Sequence, residues 1–203
     1  MNENIIKENQ VEVIQPRQHL TKDTLLGKVQ PRQKIEFFEK DEVLSLISGV
    51  PPGKERMLFQ FLWMTGCRIT EALTVRRSDI DFINNEISIR WQKSRKWKFR
   101  TIPMHHQLRE ILEWYVSSLR YDEVVFKFTR QRAWQMCQKY SFGKPHKMRH
   151  SFAVNFIRNY KGADGLRVLQ LLLGHSKITT TMEYLMFIPE MQKEALDTVD
   201  YMR

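Results

Sequence analysis

The chain lacks any apolar run near the eighteen or so residues that cross a bilayer, and it shows no signal-peptide pattern, so no membrane insertion is expected. Cysteine is scarce: Cys67 and Cys137 are the two present, at no metal-ligand spacing, which predicts reduced thiols in an intracellular, cytoplasmic protein. Acidic residues are in deficit, with 33 Lys and Arg against 23 Asp and Glu, a formal charge of +10. No carboxylate cluster of the kind that holds two divalent cations stands out, so neither a metal nor another cofactor is predicted. Glycine and proline are also few, at 8 and 7, so each marks a boundary rather than a flexible tract.

What is present points to a folded, nucleic-acid-facing domain. Of 203 residues 42% are hydrophobic, with five Trp and twelve Phe, enough for a buried core and against a disordered basic tail. The positive balance predicts an acidic partner, double-stranded DNA first. Residues 1–34 show no sustained period beyond the short run Val11-Glu12-Val13-Ile14 and read as a flexible N-terminal arm. From Phe37 onward helical spacing sets in. Asp41 opens a helix ended by Gly49, a second runs from Glu55 to Met64, and a third from Ile69 to Val75 after the break at Thr65-Gly66-Cys67. Glu86 to Trp91 alternates with period two and Phe99 to Pro103 follows a basic turn, which predicts a β-hairpin. An amphipathic helix over 105–119 carries Leu108, Ile111, Leu112, Tyr115 and Leu119. Asp164 is placed to cap a short helix that closes at Gly174. After Pro189, Met191, Ala195, Val199 and Met202 form one stripe of a C-terminal helix, over 189–203, suited to its own domain or a neighbouring protomer. The fold class expected is mainly α with a small antiparallel sheet, in one domain over 35–188.

Two stretches concentrate positive charge. Six of the eleven residues from Arg90 to Arg100 are Lys or Arg and none is acidic. Seven basic residues and no acidic one lie between Lys127 and Arg149. Clustering of one sign is unfavourable in the free protein and natural where phosphates neutralise it. Arg95, Lys96, Lys98, Arg130, Arg132, Lys139 and Lys147 are the candidate DNA contacts. His146 and Arg149, three apart, share a helix face, His175 stands just past the helix end at Gly174, and Tyr184 lies nine residues further on. Taken singly, such residues are more often packing or surface groups than catalysts.

Their order carries a family resemblance. Thr65-Gly66-Cys67-Arg68-Ile69-Thr70-Glu71, Ser78-Asp79-Ile80, the hairpin ending Arg100-Thr101-Ile102-Pro103, His146-x-x-Arg149-His150-Ser151-Phe152-Ala153, and Leu172-Leu173-Gly174-His175 followed by Tyr184 resemble the catalytic domain of the tyrosine recombinase, or phage integrase, family over about residues 36 to 188. The resemblance implies site-specific DNA cleavage and rejoining through a 3′-phosphotyrosyl intermediate, independent of metal, on a mobile, viral or chromosomal element. It makes Arg68 and Arg149 the phosphate clamp, Glu71 the acidic residue that orients them, His175 a further donor and Tyr184 the nucleophile. His146 is the base for its proton, and Lys93 on the hairpin is the general acid, with Lys96 and Lys98 as alternatives. A homo-oligomer on DNA, dimer or tetramer, is the implied partner state. The helical DNA-clamping domain usual in the family has no room in residues 1–34. Type IB topoisomerase-like relaxation, a DNA-binding regulator derived from an integrase, and a catalytic fragment of a larger integrase are the competing readings.

Overall fold

The computed structural model describes residues 35–93 and 96–187, together with Lys193, Leu196, Asp197 and Val199. The expected arm over 1–34, Arg95 and the side chain of Lys93 lie outside the described residues, as does the C-terminal stripe apart from Val199.

Helix α1 (Lys40–Gly49) begins where the Glu39 backbone N–H donates to the Glu42 carboxylate at 2.7 Å, and it buries Val43 and Ile47. Helix α2 (Lys54–Thr65) turns Met57, Leu58, Phe61 and Leu62 inward, as its spacing predicts. Helix α3 spans Ile69–Ala72 alone, shorter than the expected Ile69–Val75. The Thr74 hydroxyl takes the Glu71 carbonyl at 2.8 Å, and Val75 accepts from the Val125 N–H at 2.9 Å, so backbone pairing with another segment draws the chain out of the helix. The three-stranded antiparallel sheet runs β1 (Ile80–Asp81), β2 (Glu86–Lys93), β3 (Lys96–Pro103) in spatial order β1-β2-β3. Its register sets Ile80 against Ile87 and Ile87 against Ile102, all buried. Alternation along β3 then places Arg100 and Lys98 on the strand face that carries Ile102.

Helix α4 (His106–Val116) is narrower than the expected 105–119 and buries Leu108, Leu112 and Val116. Helices α5 (Arg130–Lys139), α6 (Pro145–Asn159), α7 (Gly165–Leu173) and α8 (Ile178–Met182) follow, and a 3₁₀ turn over Glu183–Phe187 carries Tyr184. Asp164 precedes α7 as expected but makes no capping bond; its carboxylate accepts from the Tyr160 hydroxyl at 2.9 Å.

Two apolar clusters result. The larger joins α1 to α5 with the sheet and includes Met148 at the start of α6. The smaller gathers Ala153, Val154 and Ile157 of α6 with Leu169 and Leu173 of α7 and with Tyr184. Helix α6 therefore passes from one core into the other, and Arg149 sits where it changes over. Among the described residues no helix is long and apolar enough to cross a membrane, and no group of three or more His, Cys, Asp or Glu is placed to hold a metal ion. Both cysteines are free and buried, and burial above all pushes Cys67 up to about 12 and Cys137 up to about 11, so neither is a poised thiolate.

Candidate active site

The site starts at the end of α2. Gly66 takes a left-handed φ of 61° and returns its N–H to the Leu62 carbonyl at 3.0 Å. A β-carbon there would stand 2.2 Å from the Phe152 ring, so the turn needs glycine both for its backbone and for the close approach of α6. Two residues on, the Arg68 backbone N–H donates to Glu71 Oε2 at 2.8 Å and its Nη1 to Glu71 Oε1 at 2.9 Å. The Arg68 side chain is 35% exposed and keeps guanidinium donors beyond the one given to Glu71.

Glu71 is 2% exposed and receives a second arginine that sequence reasoning did not single out. Arg100 Nη2 donates to Glu71 Oε2 at 2.8 Å and Nη1 to Oε1 at 3.3 Å, while its Nε donates to the Leu172 carbonyl at 3.1 Å. Burial alone would raise the Glu71 carboxyl; the Arg100 bonds and charge, with those of Arg68, outweigh it and hold the group below its ordinary range. Glu71 is thus an ionised anchor that fixes two guanidinium groups from distant parts of the chain.

Helix α7 ends against the same cluster. Its last carbonyls have no partner within the helix. Arg100 takes that of Leu172, and Arg149 Nη2 takes that of Leu173 at 2.7 Å. Arg149 Nη1 also donates to the Gly66 carbonyl at 2.8 Å, which ties the two turns together. Arg149 is 4% exposed; burial first, then the Arg68 charge, lowers its guanidinium to about 10. Gly174 closes the helix at φ 67°, and a β-carbon on it would lie 3.0 Å from the Arg100 side chain. His175 follows, held by three bonds. Its N–H meets the Gln170 carbonyl at 3.1 Å, its carbonyl accepts from Gln170 Nε2 at 3.1 Å, and its Nδ1 lies 3.0 Å from the buried Thr181 hydroxyl. The Thr181 bond leaves Nε2 as the atom offered to a ligand. Burial, then the charges of Arg149, Arg68 and Arg100, push His175 down to about 4.

Tyr184 is 3% exposed in the smaller core, yet its hydroxyl is 2.9 Å from His150 Nδ1. The histidine expected beside the phenol was His146. The structure places the more exposed His146 one helical turn earlier, its ring centre 6.2 Å from that of His150. The spacing of 146, 149 and 150 puts all three on one face of α6, a signal present in the sequence that motif matching passed over. Burial raises the Tyr184 hydroxyl above its ordinary value; the Arg149 and Arg68 charges oppose this and the Glu183 charge adds to it.

Beside these groups opens a cleft of about 790 Å³ lined by Arg68, Glu71, Arg90, Lys98, Arg130 and His175 among others. Its one acid here is already shared by two arginines, and the cleft is suited to a phosphate diester. Of the candidate DNA contacts with described side chains, Lys98 and Arg130 line it. The others lie outside its lining. Arg132 pairs with Glu55 at 2.6 Å, the Lys139 ammonium lies 4.7 Å from the Tyr140 ring centre, and that of Lys147 lies 3.6 Å from the Phe38 ring centre. Lys96 is exposed on the hairpin.

Residues 36–188 match the Phage integrase family. The tyrosine recombinase XerA of Thermococcus onnurineus (strain NA1) is 30% identical over 171 residues, which cover 76% of this chain and 59% of that protein. The crystal structure of XerA recombinase superposes with a TM-score of 0.68 at 22% identity, covering 88% of this chain and 69% of that one. XerH site-specific recombinase, in a post-cleavage complex with palindromic difH substrate, superposes with a TM-score of 0.56 at 20% identity over 82% of this chain and 54% of that one. The chain therefore spans about 59% of the length of the XerA relative.

Proposed function

The chain belongs to the phage integrase family, and on that premise we propose that it is a site-specific DNA recombinase, cleaving and rejoining duplex DNA through a 3′-phosphotyrosyl bond to Tyr184. The observation that carries this reading is convergence. Arg149 from α6 bonds the Gly66 carbonyl, two residues before Arg68, and the Leu173 carbonyl, two before His175. Arg68 and His175 line one basic cleft, and Tyr184 is held by His150, next to Arg149 on α6. The DNA complex of XerH supports the partner class.

A phosphodiester resists attack because its nonbridging oxygens are anionic and its leaving alkoxide is basic. Arg68 brings its remaining guanidinium donors to one nonbridging oxygen. Arg149 spends two of its five N–H donors on the carbonyls of Gly66 and Leu173 and retains the others. His175 adds its Nε2. Tyr184 Oη forms the bond to phosphorus as the bond to the 5′ oxygen breaks, and a hairpin lysine delivers a proton to that oxygen. We assign this role to Lys98, which lines the cleft, or to Lys93, which the resemblance names and whose backbone pairs with Lys96 on the same face of the hairpin. This basic set supplies the charge neutralisation that a divalent cation gives to other phosphoryl-transfer sites. Tyr184 lies under cover in the free protein, so DNA engagement must uncover its hydroxyl. Strand exchange between two duplexes requires more than one copy, and we assign a homo-oligomer assembled on DNA.

Nicked suicide duplexes test the proposal: wild type should accumulate a covalent adduct that maps to Tyr184, and Tyr184→Phe should bind DNA nearly as well but form none. An adduct in the phenylalanine variant would remove Tyr184 from the reaction. Two-site strand exchange, set beside relaxation of a supercoiled plasmid, separates recombination from topoisomerase-like turnover.

A further inference from the structure

We infer that His150 is a further catalytic residue of this cleavage, its Nδ1 accepting the phenolic proton of Tyr184 as the phenol bonds to phosphorus. The inference rests on the proposed role of Tyr184 as nucleophile.

The geometry is direct. Nδ1 and Oη are 2.9 Å apart, within reach for proton transfer without an intervening water. Among the described residues, His150 is the hydrogen-bond partner of that phenol, whose ring belongs to the apolar cluster of Ala153, Val154, Ile157, Leu169 and Leu173. His150 stands in the middle of the 15-residue α6, next to Arg149, so the acceptor and the phosphate-binding arginine are presented by one rigid element. His146, the other imidazole on this face, is a turn away and exposed, its ring centre 6.2 Å from that of His150.

The surroundings keep the ring neutral and also make it a weaker base than a free imidazole. The titratable and charged groups about the ring are His146 and Arg149 on its own helix, His175 beyond α7, and Tyr184 with Glu183 on the closing turn. Burial first, then the charges of His146 and Arg149, lower His150 to about 4, so it is neutral at pH 7. A neutral ring that accepts at Nδ1 carries its hydrogen on Nε2. In the step, the Oη–H bond breaks and Nδ1–H forms; Oη–P forms and the bond from phosphorus to the 5′ oxygen breaks, that oxygen taking its proton from the hairpin lysine. The imidazolium next to Arg149 is offset by the phosphotyrosyl anion. On rejoining, it returns the same proton to the departing phenol.

Single-turnover cleavage of a nicked suicide duplex tests this with His150→Ala and His150→Asn, each checked for folding by thermal melt and for DNA affinity. Cleavage by the alanine variant should slow at least ~10²-fold, with the adduct still at Tyr184 and duplex Kd within about threefold of wild type. Replacing Tyr184 with trifluorotyrosine, a more acidic phenol, should restore at least about tenfold in His150→Ala and change wild type little. The acid limb of the wild-type pH–rate profile should disappear in His150→Ala. Cleavage at or above the wild-type rate in His150→Ala would overturn the assignment and leave the contact as a latch on an idle phenol, as would absence of fluorotyrosine rescue. If the alanine variant does not fold, His150→Asn with and without fluorotyrosine decides the same question. An adduct persisting in Tyr184→Phe instead strikes the nucleophile itself, so the two failures are told apart.

Discussion

Arg100 and Glu71, 29 residues apart in sequence, form an ion pair inside the protein: Nη2 lies 2.8 Å from Oε2, with side chains 9% and 2% exposed. The same guanidinium reaches the Leu172 carbonyl. The hairpin, the acid after the first arginine, and the helix end before His175 are thereby joined through one side chain.

Removing one member of such a pair leaves the other charged without its partner, at about 3–5 kcal/mol. Arg68 still bonds to Glu71, so Arg100→Met should lose about 3 kcal/mol in a urea melt. Arg100→Lys should fall between, since an ammonium keeps the charge but cannot span carboxylate and carbonyl together. A loss below about 1 kcal/mol for Arg100→Met would contradict this account.

Arg149→Ala should cut cleavage at least ~10²-fold, about 3 kcal/mol, by analogy with the loss of one donor to a developing oxyanion. It should also lower stability, because the carbonyls of Gly66 and Leu173 lose their donor. Quench-flow on suicide substrate reads the first and a denaturant melt the second. Equal cleavage rates for variant and wild type would place the phosphate elsewhere.

Acid should weaken the fold before the carboxylates titrate. His150 and His175 are held down to about 4 in the folded protein, against an ordinary value near 6.5. Between those values the unfolded chain binds more protons, so stability declines as pH falls from about 6.5 to about 4 and gains nothing further from these groups below that. Each contributes on the order of 1 kcal/mol once partial solvent exposure is allowed for. Urea midpoints at about pH 7 and about pH 5 should differ, and less so in His150→Gln; a flat profile between them would be inconsistent.

The proton donor to the leaving oxygen can be identified by changing the leaving group. Lys98→Ala should slow cleavage of an ordinary duplex at least ~10²-fold yet leave a 5′-bridging phosphorothiolate near the wild-type rate, because a thiolate departs without a proton. Should Lys93→Ala show that pattern and Lys98→Ala not, the donor is Lys93.

The helices over 40–65 were legible because Gly49, Pro51, Pro52, Gly53 and Gly66 bracket runs with clear periodicity. The turn at Gly66 also announced where Arg68 emerges. Arg100 was not legible as a site residue: its partners Glu71 and Leu172 lie on other elements, and no local spacing links them to the hairpin. His150 was nearer to view, one helical turn from His146, yet its partner is 34 residues away. Counting charges in the basic stretch before Arg149 does not reveal that Arg132 pairs with Glu55 or that Lys147 lies over Phe38. Helix α3 fell short of its pattern because Val75 pairs with Val125 across the fold.

The covered phenol has a consequence for life among long polymers. If the proposed function holds, a protein of this charge touches many stretches of duplex for each one it cuts, and every brief collision is a chance to nick. On that reading, Tyr184, covered in the smaller core, leaves strands intact in passing encounters, and only a stay long enough to open that core exposes them to breakage.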